Sequence, residues 1–116
     1  MTYTEVATMI SSIGLPYAYY QFRETGVHPP FICFFYGGSN DFIADSTNYQ
    51  KIEQLYIELY ADQKDFDHEA AIEEVLAENG FVWAREEQWI DSEKLYEVIY
   101  TMDVVITPDT EVSTNG

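Results

Sequence analysis

Apolar and polar residues alternate from Tyr49 to Ala61, placing Leu55, Ile57, Leu59 and Ala61 on one side and Gln54, Tyr56, Glu58 and Tyr60 on the other. A period of two predicts a strand with one apolar face. The period then changes. Ile72, Val75, Leu76 and Asn79 follow an i, i+3, i+4, i+7 spacing, which predicts a helix with one apolar stripe. Asp65 or Asp67 is placed to cap this helix, Glu69 suits the positive end of its dipole, and Asn79-Gly80 ends it. A strand with one apolar face beside a helix with one apolar stripe is half of a two-layer domain.

The remaining segments complete those layers. Val6, Met9, Ile10 and Ile13 predict a first helix over residues 3–13, with Thr2 and Glu5 as a capping box, Thr4 as a second candidate cap and Gly14-Leu15-Pro16 as its stop. YAYYQF, 17–22, is rich in aromatics and predicts a strand. RETGVHPP, 23–30, is a loop by its glycine and paired prolines. The unbroken apolar run FICFFY, 31–36, fits a central strand, pairing with 17–22 as a hairpin. Residues 37–40 (GGSN) break the chain, and 41–48 (DFIADSTN) are expected to form an extended, partly exposed loop. A strand is expected from 81 to about 88, a turn at Asp91–Glu93, and a long alternating strand over 94–106. On that last strand Tyr96, Val98, Tyr100, Met102, Val104 and Ile106 share one face.

The predicted order is therefore α-β-β-β-α-β-β. It implies a single α+β domain over 1–106, a largely antiparallel sheet with both helices on one face. Residues 107–116 are expected to be a flexible polar tail. Ile52, Tyr56, Tyr60, Ile99 and Val105 would lie on the sheet's second face. So many apolar groups on an uncovered face call for a cover, either another subunit or the loop 37–48.

At 116 residues the chain is one domain in size, and its 47% hydrophobic content, with ten Tyr and seven Phe, suffices for a core. Five basic residues face twenty-one acidic ones, a net charge of −16. A phosphate backbone or an anionic membrane would be repelled by such a surface. No apolar run approaches the roughly 18 residues needed to cross a membrane. The first ten residues carry Glu5 and no Lys or Arg, so no signal peptide is expected. The lone Cys33 sits within FICFFY and is expected to be a core thiol, in keeping with a reducing cytoplasm or a particle assembled there.

No motif carries chemistry. His28 and His68 stand in no zinc-ligand spacing. Asp62, Asp65 and Asp67 lack the spacing and glycine of a calcium loop. There is no nucleophile elbow, and Gly37-Gly38 lacks the lysine of a phosphate loop. Trp83 and Trp89 are expected to be core or interface anchors. No cofactor, metal or catalytic residue is expected.

Several stretches nevertheless resemble a family. IEQLYIELYADQKDFDHEAAIEEVLAENGF, 52–81, joins a YQIELYT-like strand to an acidic helix ending in glycine. WIDSEKLYEVIY, 89–100, follows it, and LPYAYYQF, 15–22, PPFICFFY, 29–36, and FIADSTNY, 42–49, precede it. In these the chain resembles the tail terminator and head–tail joining (tail completion) proteins of long-tailed bacteriophages and prophages of Gram-positive bacteria, over residues 1–106. The resemblance implies a small α+β subunit that caps the finished tail tube as a ring, usually of six, and docks the tail to the head connector. Its implied partners are further copies of itself, the tail tube protein and the connector protein, and its implied location is the virion tail, assembled in the host cytoplasm.

A ring needs two different contact surfaces per subunit. The expected partner interface comprises Phe42, Ile43, Tyr49, Ile52, Tyr56, Tyr60 and Ile99. The charge leaves an alternative open, an acidic DNA mimic that inhibits a basic DNA-binding enzyme. A carboxylate hydrolase is a third possibility, but nothing selects a catalytic pair from twenty-one acids. Salt separates the first two, since a mimic's charge pairs are screened and aromatic contacts are not.

Overall fold

The computed structural model describes residues 1–23, 26–39, 42–44 and 48–108, with the backbone alone described for 42–44 and 48–50. Helix α1 (Tyr3–Ser11) precedes strands β1 (Tyr17–Tyr19), β2 (Phe31–Ser39), β3 (Phe42–Ala44) and β4 (Asn48–Ala61). Helix α2 (Phe66–Glu78) and strands β5 (Ala84–Ile90) and β6 (Leu95–Ile106) follow. The main sheet runs β1-β2-β4-β6-β5, which is the expected α+β arrangement with a largely antiparallel sheet.

Both helices lie on one face. Val6, Met9 and Ile10 of α1 and Ile72 and Leu76 of α2 join a single core with Ile32, Phe34, Leu55, Ile57, Leu59, Val98, Tyr100, Met102 and Val104. Strand register explains why these residues meet. Ile57 stands between Phe34 on β2 and Tyr100 on β6, and Leu59 stands between Ile32 and Val98. Local chemistry sets the helix starts. Thr2 and Glu5 close the expected capping box. Asp65 is the cap of α2, accepting from the His68 backbone N–H at 3.0 Å. Gly80, at φ 79°, turns the chain out of α2 in a conformation that disfavours any side chain.

Three expectations need correction. First, β1 and β2 do not form a hairpin: they pair in parallel, Tyr17 opposite Ile32 and Tyr19 opposite Phe34. A hairpin requires the chain to reverse at once, but β1 stops after three residues and Tyr20 turns away at φ 69°. The chain then runs over the sheet's second face, where Tyr20 packs on Phe35 (5.5 Å between ring centroids) and Phe22 on Phe31 (5.3 Å). These ring contacts, with Phe22 half-buried and Tyr20 still exposed, favour the crossing over a tight turn.

Second, residues 42–44 are a strand: β3 pairs with the beginning of β4, Ile43 opposite Tyr49. The segment around Tyr20 and Phe22 lies on the second face, while 42–44 pair with β4; residues 40, 41 and 45–47 lie outside the described residues. Third, the strand expected from 81 begins at Ala84. Phe81 and Trp83 instead pack against the core as the chain passes from the helix layer to the sheet. The tail expected at 107–116 lies, from 109 onward, outside the described residues.

Candidate interaction surface

The second face of the sheet is built by strand alternation. β2 contributes Phe31, Cys33 and Phe35, β4 contributes Ile52, Tyr56, Glu58 and Tyr60, and β6 contributes Glu97, Ile99 and Thr101. Register sets them in rows: Phe35, Tyr56 and Thr101 in one, Cys33, Glu58 and Ile99 in the next, Phe31, Tyr60 and Glu97 in the third. Two rows are held by stacked rings. Phe35 and Tyr56 lie parallel, 1° apart in plane at 4.9 Å, and Phe31 stacks on Tyr60 at 5.2 Å.

One backbone device makes the first stack possible. The β2–β4 register slips between Tyr36 and Gly38, so Gly37 is a bulge. A side chain at Gly37 would collide with the Tyr56 ring. Only glycine lets β2 pass beneath a ring that Phe35 holds flat.

Between the stacks lies a polar knot. The Tyr60 hydroxyl is 2.9 Å from Glu58 Oε1 and 2.8 Å from Glu97 Oε2, and Gln88 Nε2 donates to Glu97 Oε1 at 2.6 Å. Glu97 is only 4% exposed. Burial raises the Glu58 carboxyl above its ordinary range; the Tyr60 hydroxyl opposes this and the neighbouring Glu97 charge adds to it. Burial likewise raises the Cys33 thiol to about 11, with Glu58 and Glu97 adding to the shift. A thiol held that high is neutral and unreactive at physiological pH.

Of the residues expected at an interface, Ile52, Tyr56, Tyr60 and Ile99 are half-buried and share this face. Phe42, Ile43 and Tyr49 fall in β3 and the start of β4, and their side chains lie outside the described residues. The sequence drew no attention to Glu97, although its place among Leu95, Ile99 and Val105 was a signal. Phe31, Cys33 and Phe35 were hidden inside a uniformly apolar run.

The opposite side carries its own charges. Glu69 of α2 is 2% exposed and accepts from Lys64 Nζ at 2.8 Å and Arg85 Nη1 at 2.9 Å. The Tyr100 hydroxyl donates to Glu73 Oε2 at 2.9 Å. Tyr96 and Lys64 both donate to Glu87. Of these, Arg85–Glu69 and Tyr100–Glu73 link α2 to the sheet, while Lys64, just before α2, ties the helix to β5. His68 bonds Asp65 at 2.7 Å and serves the helix start. Among the described residues no helix is long and apolar enough to cross a membrane.

No family model matches the chain, and no curated protein matches it. Among solved structures, the fold is similar to that of a chain from the virion of a native gene transfer agent particle. The likeness covers 86% of this chain and 84% of that one, with a TM-score of 0.58 and 9% sequence identity. At that identity the likeness is one of fold.

Proposed function

We propose that the chain is a structural protein of a phage-like virion, working by assembly and without catalysis. The observation that carries this is the likeness to the gene transfer agent virion chain, which extends over nearly the full length of both chains. The resemblance of residues 1–106 to tail terminators narrows the proposal: the chain caps the tail tube as a ring and joins tail to connector. Its partners are then further copies of itself, the tube protein and the connector protein, and its place is the virion tail, assembled in the host cytoplasm. The aromatic rows of the second face suit a protein contact, because flat rings bury area with little loss of side-chain freedom. The net charge of −16 suits a wall past which DNA slides without sticking.

The charge also supports a second reading, an acidic mimic of DNA that occupies a basic enzyme. Light scattering at rising protein concentration, in moderate salt, with and without purified tail tubes, separates the two. A species near six subunits, or a monomer that joins the tube ends and survives added salt, is expected. A monomer that ignores tube ends, and whose binding to a basic DNA enzyme collapses with salt, would overturn the ring assignment.

A further inference from the structure

The knot at the centre of the second face is short of protons. Tyr60 carries one hydroxyl proton, yet its oxygen has a carboxylate oxygen on each side, at 2.8 and 2.9 Å. An ionised carboxylate only accepts. With both acids ionised, one of those two contacts brings acceptor against acceptor. Both become hydrogen bonds when one carboxyl keeps its proton and donates it to the Tyr60 oxygen, which then donates its own to the other. No cation compensates: neither Glu58 nor Glu97 makes an ion pair among the described residues. The other titratable groups on this face are Cys33 of β2, Tyr56 of β4, Glu86 of β5, Glu93 of the turn before β6 and Asp103 of β6; the crossing segment adds Tyr20, Arg23 and His28, and among the described residues neither of those two basic side chains bonds to Glu58 or Glu97.

The knot is coupled by contact to the segment that crosses it. Tyr60 stacks on Phe31, and Phe31 carries Phe22 edge-on at 5.3 Å. A cavity of about 430 Å³ lies between, lined by Phe22, Val27, Phe31, Cys33 and Tyr60 among others.

We propose that Glu58 and Glu97 share one proton through the Tyr60 hydroxyl, and that its loss as pH rises releases residues 20–22 and 26–30 from the sheet's second face. The proton is a latch on the covering segment, and this holds whatever the chain assembles with. Like charges so close cannot both ionise cheaply in a buried site. The raised Glu58 carboxyl agrees in sign. A raised acid binds its proton more tightly when folded, so the latch is closed at low pH and weakens as pH passes the raised value.

The test is carboxyl ¹³C NMR on the full chain from pH 3 to 9, with amide exchange at Tyr20 and Gln21, whose N–H groups donate to the Phe34 and Tyr19 carbonyls, corrected for its intrinsic pH dependence. The expected result is one proton released by the pair above about 4.3, the ordinary glutamate value, and seen at both carbons. Protection at Tyr20 and Gln21 should fall about tenfold per pH unit over that same range, as for release of a single proton. Glu58→Gln, whose amide supplies the missing donor permanently, should hold protection constant across the range. Glu97→Gln serves the same purpose should the first variant fold poorly. Two carboxyls titrating near 4.3, or protection that ignores the titration, would overturn the latch.

Discussion

The same strand, β4, builds two opposite surfaces. On the helix side Leu55, Ile57 and Leu59 are almost wholly buried and belong to the single hydrophobic core. On the other side Tyr56, Glu58 and Tyr60 are half-buried among rings and acids. One face is closed by two helices, the other by a single strip of chain. Stability should therefore concentrate on the first face, while the second keeps polar groups adaptable enough for contact or titration. The charges divide in the same way. Helix-side Glu69 is neutralised by Lys64 and Arg85, whereas among the described residues second-face Glu58 and Glu97 are bonded by a hydroxyl and an amide and by no cation.

The largest test of this contrast removes the cations. Replacing both Lys64 and Arg85 by Ala would leave Glu69 buried and uncompensated, at a cost of about 3–5 kcal/mol. Glu69→Gln should cost only about 1 kcal/mol, because both cations keep other carboxylates and reach solvent. Urea denaturation measures both. Equal losses would show that the Glu69 charge is not the element at risk.

Next in size is a matched pair of truncations. Ile57→Ala on the helix side should cost about 2–5 kcal/mol, since the side chain is fully enclosed and leaves a cavity. Ile99→Ala, one strand away on the second face, should cost under about 1.5 kcal/mol in the isolated protein, because a half-buried site has already kept water contact. If Ile99→Ala proves as costly as Ile57→Ala, the second face is core and not an interface.

How far this contrast was legible depends on the length of each pattern. Alternation over 49–61 and 94–106 is long enough to reveal parity, so the facing of Ile52, Tyr56, Tyr60 and Ile99 could be read directly. The capping box of Thr2 and Glu5 was equally visible by local chemistry, as was a cap at Asp65 or Asp67, of which the structure uses Asp65. Three-residue strands show no period, which hid β3 and let β1 be read as one arm of a hairpin when it pairs in parallel. FICFFY is apolar at every position, so it could not say which residues meet Tyr56 and Tyr60. The buried acids were hard to read for another reason, Glu97 offering only the hint of its largely apolar row. Glu69 is enclosed by Lys64 and by Arg85, sixteen residues away, and Glu97 by Tyr60 and Gln88, so their burial exists only once the strands have paired.

A smaller effect probes the bulge. Gly37→Ala should cost about 1–3 kcal/mol, because the new methyl collides with a Tyr56 ring that Phe35 holds in place. Tyr56→Ala should cost about 1–2 kcal/mol alone, through the lost stack and area. Combined, the two should cost less than their sum, since the clash has nothing left to meet. Additive losses would place the Gly37 effect in the backbone rather than against the ring.

The smallest effects come from pH, and here the two faces should move in opposite directions. Burial acts to raise the Asp65 carboxyl, but its hydrogen bonds from His68 prevail and hold it below the ordinary range. Glu87 is held low first by Lys64 and then by the Tyr96 hydroxyl. A depressed acid gives stability that is present above its unfolded value, near 4, and is lost as pH falls through the folded one. Glu58 is raised, so its contribution is whole below about 4.3 and is lost as pH rises past that value. The helix side thus weakens below about pH 4 and the second face above it. Asn caps a helix nearly as well as Asp, so Asp65→Asn should cost under about 1 kcal/mol at neutral pH and flatten only the acid limb. Glu58→Gln should flatten only the limb above it. Urea midpoints from pH 3 to 8 read both, and a single variant that flattened both limbs would mean that the two faces do not titrate independently.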